Sequence, residues 1–175
     1  MDGSGFVLLS KNATLTLGAD DTNATFYGKI RNDYPDAGAA VSKVGKGVWT
    51  LYGAQEYSGA TRILGGTLDL RGGITGNVQV ETGGTLAGTG HIGGALTIHN
   101  GSLAVNLAGA KPKMLTVTGA ATLAGTLTLT SMPTTGRQWT VLRANVGISG
   151  TFSHLPGGFT VRLAEGGKAL LLVKR

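Results

Sequence analysis

The longest stretch of this chain without a glycine is twelve residues, from Phe6 to Leu17. An α-helix of ordinary length needs about ten to fourteen residues, and an internal glycine costs about 1 kcal/mol against alanine. Glycine spaced this closely therefore leaves little room for helix. The 31 glycines among 175 residues are more than twice the average usage of about 7 %. They do not recur at every third residue and only 4 prolines accompany them, which excludes a collagen helix. Disorder is excluded as well, because 41 % of residues are hydrophobic and only 14 % are charged, enough to bury a core. An all-β domain remains.

Short segments such as Thr14-Leu15-Thr16-Leu17, Val48-Trp49-Thr50-Leu51, Thr67-Leu68-Asp69-Leu70 and Thr126-Leu127-Thr128-Leu129 place an aliphatic residue at every second position. That is the period of a strand with one buried face. Only Asn100-Gly101 has the sequence of a two-residue hairpin,. A repeat accounts for the rest. Gly66-Thr67-Leu68 returns as Gly84-Thr85-Leu86, Leu103 follows at a similar interval, and Gly125-Thr126-Leu127 restores the tripeptide. A drifting period of about 17–24 residues is the mark of a solenoid, here a parallel β-helix of roughly eight coils with little or no α-helix.

Charge is uneven. Residues 1–70 carry six Lys/Arg and seven Asp/Glu, whereas residues 71–175 carry nine and two. The cations of the second part are scattered singly except at Lys111-Pro112-Lys113 and Lys174-Arg175, and few aromatics accompany them. No nucleic-acid partner is expected. There is no cysteine, so disulfides and thiol chemistry are excluded,. Met1-Asp2-Gly3-Ser4-Gly5 lacks the layout of a signal peptide, and the chain reads as a piece of a longer protein,.

Residues 43–72 closely resemble the passenger-associated transport repeat of bacterial autotransporters, whose pattern is K-x-G-x-G-x-x-x-L-x-G-x-x-x-Y-x-G-x-T-x-[IV]-x-x-G-x-L-x-[LV]. The matching positions are Lys43, Gly45, Gly47, Leu51, Gly53, Tyr57, Gly59, Thr61, Ile63, Gly66, Leu68 and Leu70. Residues 73–175 resemble the coils that follow that repeat and the autochaperone region at the end of a passenger. Residues 1–42 match only loosely. The resemblance implies one continuous right-handed β-helix, exported across the outer membrane of a Gram-negative bacterium to the cell surface or beyond. It further implies a covalently linked C-terminal β-barrel translocator and an upstream effector, which in such proteins can be a subtilisin-like protease, a lipase or an adhesin. The function expected is that of a non-enzymatic stem, with Trp139, Phe152, Phe159 and Leu171 as a C-terminal folding nucleus. The alternative is an adhesive surface that binds host or bacterial glycans or mediates cell-cell aggregation.

Other motifs fit structural roles better than chemical ones. Gly88-Thr89-Gly90-His91-Ile92-Gly93 satisfies G-x-G-x-x-G, but strand-like residues follow and no acid lies at the required distance, so tight turns explain it. His91, His99 and His154 lack nearby carboxylates in sequence, which argues against a metal or catalytic set. Thr130-Ser131-Met132-Pro133 is similar to the nucleophile segment of subtilisin-like proteases, but it lacks the glycine before it, and residues 71–175 contain no Asp to complete a triad,. Asp20, Asp21, Asp33 and Asp36 read as solvated loop acids, and Asn12, Asn23 and Asn100 as turn residues rather than glycosylation acceptors. Trp49, Tyr52, Tyr57 and Trp139 could form a sugar-binding strip, although Trp49 and Tyr57 lie in the repeat and suit packing better,. No cofactor is expected.

Overall fold

In a computed structural model the alternating segments stack as strands in a three-faced coil. The structure describes residues 5–35, 37–108, 113–132 and 136–175. Readings placed on Met1–Ser4, Asp36, Lys111, Pro112 and Pro133 lie outside those residues. Coil 1 comprises β1 (Phe6–Leu9), β2 (Thr14–Leu17) and β3 (Ala24–Phe26), and coil 2 comprises β4 (Lys29–Asn32), β5 (Ala40–Lys43) and β6 (Val48–Leu51). Coil 3 follows with β7 (Ala54–Gln55), β8 (Thr61–Ile63) and β9 (Gly66–Leu70), and coil 4 with β10 (Gly73–Ile74), β11 (Val78–Val80) and β12 (Gly84–Gly88). Coil 5 holds β13 (His91–Ile92), β14 (Leu96–Ile98) and β15 (Ser102–Asn106), and coil 6 holds β16 (Leu115–Val117), β17 (Ala120–Leu123) and β18 (Thr126–Ser131). Coil 7 has β19 (Gln138–Ala144) and β20 (Gly147–Gly150), with a single bridge from His154 to Thr126 as its third side. The chain ends in β21 (Phe159–Ala164) and β22 (Ala169–Lys174).

Equivalent strands of successive coils pair in parallel. Face 2 runs β2-β5-β8-β11-β14-β17-β20, and face 3 runs β3-β6-β9-β12-β15-β18. Face 1 begins with the pair β1-β4 and continues as β7-β10-β13-β16-β19. The parallel β-helix expected from the repeat is what the chain forms. The repeat is also the sheet register: Gly66-Thr67-Leu68 lies beside Gly84-Thr85-Leu86, Leu86 beside Leu103, and Leu103 beside Leu127. Inward side chains then stack into columns, such as Trp49, Leu68, Leu86, Leu103 and Leu127 on face 3, all of them buried. Asn100-Gly101 makes no hairpin. Asn100 takes φ of 54° at the corner between β14 and β15, and a Cβ on Gly101 would come within 2.7 Å of the Glu81 carbonyl of the coil before.

Among the described residues the coils are fewer than the repeat length suggests, six complete ones and a seventh whose third side is a single bridge. Coils range from 17 residues, Thr85 to Ser102, to 27 residues, Leu115 to Leu142, and the final strands leave the solenoid. Glu165, Gly166 and Gly167 take positive φ in succession, 54°, 65° and 86°. They reverse the chain within one 3-10 turn instead of carrying it round a corner, so β22 pairs antiparallel with both β21 and β19. That turn is the only helical element among the described residues.

Candidate functional site

The side chains of the 43–72 motif converge on the layer between coils 2 and 3. Lys43 is the last residue of β5 and points inward, in a column between Leu17 and Ile63. Its side chain is fully buried. The chain turns there from face 2 to face 3, and corner carbonyls are left without ladder partners. The Lys43 ammonium supplies donors to the carbonyls of Val44, Gly45 (3.4 Å) and Gly65 (3.2 Å). A buried ammonium without such acceptors would cost several kcal/mol, on the order of the desolvation penalty of an ion. Burial still holds its pKa below the usual lysine value, and the carboxylates of Asp21 and Asp20 offset part of that effect. Close approach explains the glycines beside it: a Cβ on Gly45 would stand 1.9 Å from the Gly18 carbonyl, and one on Gly47 2.0 Å from that of Thr22.

The two other corners of this layer carry their own buried polar contacts. Gln55, in β7, sits where faces 3 and 1 meet and tops the inward column of Ile74, Ile92 and Val117. Strand pairing on face 1 is interrupted between β4 and β7, where only the bridge of Arg31 with Glu56 connects them. The Gln55 amide spans the gap. Its oxygen accepts from Ile30 N (2.7 Å), and its nitrogen donates to the carbonyls of Gly28 (3.2 Å) and Tyr52 (2.7 Å). Side-chain bonds thus satisfy backbone groups that the ladder misses. Between faces 1 and 2 the buried Tyr57 hydroxyl shares a hydrogen bond with the Thr61 hydroxyl. Burial pushes the Tyr57 phenol up to about 12, with the Thr61 bond acting against the rise. Lys43, Gln55 and Thr61 are the buried polar or charged residues among those described, and all three belong to this one layer. Leu51, Ile63, Leu68 and Leu70 fill the core around them. Gly53, Gly59 and Gly66 lie at the turns, Gly59 with its Cβ position 2.4 Å from the Ala39 carbonyl. Sequence reasoning missed Gln55 because a two-residue strand is too short to show alternation, and the motif leaves that position variable.

The remaining candidate residues are dispersed. His91 lies between the hydroxyls of Thr116 and Thr118, each at 3.0 Å, whereas His99 approaches Glu81 at 3.6 Å and His154 bonds Ser153 at 3.1 Å. No group of His, Asp and Glu able to hold a metal occurs among the described residues. Gly88 to Gly93 form the corner from β12 into β13. Ser131 ends β18 and bonds Asn106 rather than standing on a strand-to-helix turn. Asp21 accepts from Lys46 N at 2.8 Å and Asn23 from Val48 N at 2.7 Å, so these residues brace the corner above them. Asn12, like Asn100, takes positive φ at a turn, and Asp33 is exposed. The aromatic strip does not form. Trp49, Tyr57 and Trp139 are buried, Trp49 stacked on Phe26 with centroids 6.1 Å apart. Tyr52 alone of the four is exposed, and it stacks on Tyr27 at 4.8 Å.

At the other end, Trp139 and Phe159 meet with centroids 6.1 Å apart and planes tilted 57°. Both rings and Phe152 belong to the apolar core. Leu171 is buried too, but on the opposite face of β22 from Leu170 and Leu172, which enter the core. It is paired with Thr140 and Arg162, beside the hydrogen bond of Arg162 with Gln138 (2.9 Å) that joins β21 to β19.

No protein-family model matches the chain. It is similar to the adhesin BmaC autotransporter of Brucella suis biovar 1 (strain 1330), with 38 % identity over 85 residues, or 47 % of the chain. The chain spans 2 % of the length of that relative. The likeness is to an autotransporter named as an adhesin, and it lends no support to a subtilisin-like parent.

Proposed function

We propose that this β-helix is a non-enzymatic stem of an autotransporter passenger, whose C-terminal coils fold first and template the coils before them. The observation that carries the reading is the closure of the last coil. The last coil is closed by an antiparallel hairpin and by the contact of Trp139 with Phe159. In a nearest-neighbour solenoid each new coil gains its stability from a formed neighbour, so a closed end is the natural place to start. Coils added outside the membrane would disfavour return of the chain. The reading carries with it export across the outer membrane, a linked β-barrel translocator and an upstream effector. The relative's name favours an adhesin as that effector.

The test is surface display of the parent in a Gram-negative host, followed by the time at which an upstream tag becomes accessible to added protease. Trp139→Ala is expected to delay accessibility, whereas Leu9→Ala in the first coil is not. Equal delay from both substitutions, or none from Trp139→Ala, would sink the templating role.

A further inference from the structure

The outward side of face 3 carries a trough that the stem role does not use. Pairing of β9, β12 and β15 places Asp69, Ala87 and Ala104 in one outward row. The two alanines leave a floor between larger neighbours, and Ala104 is only 8 % exposed although it points away from the core. The depression measures about 340 Å³ and is bordered by Arg71, Thr89 and Asn106. The same three residues border a second depression that runs on to Tyr52 and Lys113. From coil 2 to coil 6 the trough covers about four sheet spacings, roughly 19 Å.

Its chemistry is specific. Asp69 Oδ2 accepts from Arg71 Nε at 2.9 Å and Nη2 at 2.8 Å. Asp69 Oδ1 is shielded from solvent and has no hydrogen-bond partner. An acceptor left so costs about 1–3 kcal/mol, and an outside donor relieves it only if the Asp69–Arg71 pair shifts to uncover it. At the end of the trough the exposed ring of Tyr52 is stacked on Tyr27 with planes 15° apart, which holds the Tyr52 ring in place. Hydroxyl donors beside a flat C–H face are what a pyranose ring presents. An extended peptide suits the place less well, because its backbone groups seek a strand edge and the trough lies on a sheet face. Asp69 offsets the charge of Arg71, and Lys113 is left as the unbalanced cation of the second depression.

We propose that this trough binds a neutral glycan chain, with Asp69 and Arg71 engaging ring hydroxyls and the Tyr52–Tyr27 stack supporting a sugar face. The inference is independent of the stem reading, because binding and templating are measured on different variants. The probes are maltohexaose, cellohexaose, xylohexaose and chitohexaose, with a heparin hexasaccharide as the anionic comparison, added to the 175-residue chain and followed by amide chemical shifts. At least one neutral probe is expected to give saturable shifts at Asp69, Thr89 and Asn106 at millimolar concentration. Asp69→Ala and Tyr52→Ala should each weaken that binding at least about tenfold, as loss of a matched polar or stacking partner does. Arg62→Ala on face 2 should leave it unchanged. If Asp69→Ala disturbs the fold, Asp69→Asn keeps the shape and turns part of the acceptor into a donor, and it should weaken binding likewise. No saturable shifts with any neutral probe, binding of the heparin fragment alone, or binding indifferent to Asp69 and Tyr52 would each overturn the proposal.

Discussion

The first and last coils are built from the same alternation, yet they end differently. In coil 1 the inward residues are Leu9, Leu17, Ala24 and Phe26, with Val7 and Leu15 only partly buried. The Arg31 guanidinium lies 4.7 Å from the exposed ring of Phe6. At the far end β22 continues face 1, β21 covers β22, and the residues brought inward are Trp139, Phe152, Phe159, Leu170 and Leu172. The outermost strand there bears the exposed Leu163 and Arg162, whose guanidinium reaches back over β22 to Gln138. Local stability in a solenoid is the quality of a coil plus that of its interfaces. By that measure the last coil, filled by Trp139, Phe152 and Phe159, outweighs coil 1 with its partly buried Val7 and Leu15. The polar layer of Lys43, Gln55 and Tyr57 with Thr61 stands at the boundary of coils 2 and 3, where it fastens the weaker part to the stronger.

The severest way to break this comparison is Trp139→Ala. Truncating a buried aromatic costs roughly 3–5 kcal/mol, read as a lower denaturation midpoint, and a loss below about 1 kcal/mol would show that the hairpin does not hold the end. Alkaline pH tests the layer between the ends. Unfolded Tyr57 ionises near 10, whereas in the fold it keeps its proton to about 12. The folded state thus binds more protons in that window, and Tyr57 stabilises below pH ~10 and loses its contribution as pH rises toward ~12. The loss amounts to about 3 kcal/mol, and Tyr57→Phe should flatten that segment of the stability profile. Lys43 shifts the other way. Its lowered pKa means that the unfolded chain binds more protons between the folded value and ~10.4, so its own effect is a gain in stability as pH rises through that interval,.

Lys43→Met retains the stem and removes the donors from Val44, Gly45 and Gly65. We expect a cost of about 2 kcal/mol from acceptors left bare, and faster hydrogen exchange confined to residues 5–43. Exchange that accelerates equally in residues 115–173 would deny the layer its role as a fastening. The smallest effect belongs to Leu9→Ala, below about 1 kcal/mol on global unfolding, because coil 1 opens before the rest and its contacts drop out of the global transition. In the unaltered chain, amides of residues 5–40 should exchange faster than those of residues 115–173, and equal rates would remove the polarity altogether.

Sequence alone determined the all-β class, the solenoid and the register. Glycine spacing denied helices their length, and the returns of Gly-Thr-Leu at residues 66, 84 and 125 mark residues that stack in one sheet. Local geometry suffices for these, since each coil repeats the same turn. The motif at 43–72 contributes Lys43, Tyr57 and Thr61 to the buried polar layer. Tertiary structure decided the rest. Strands as short as Ala54–Gln55, Gly73–Ile74 and His91–Ile92 carry too few residues to alternate, and only pairing with neighbouring coils defines them. Whether Phe159–Ala164 and Ala169–Lys174 would form another coil or a hairpin depended on three successive positive φ angles at Glu165, Gly166 and Gly167. Lys43 and Gln55 read as surface residues by type. Only the stacking of coils shows backbone groups without ladder partners at those corners, which is why an ammonium and an amide turn inward there.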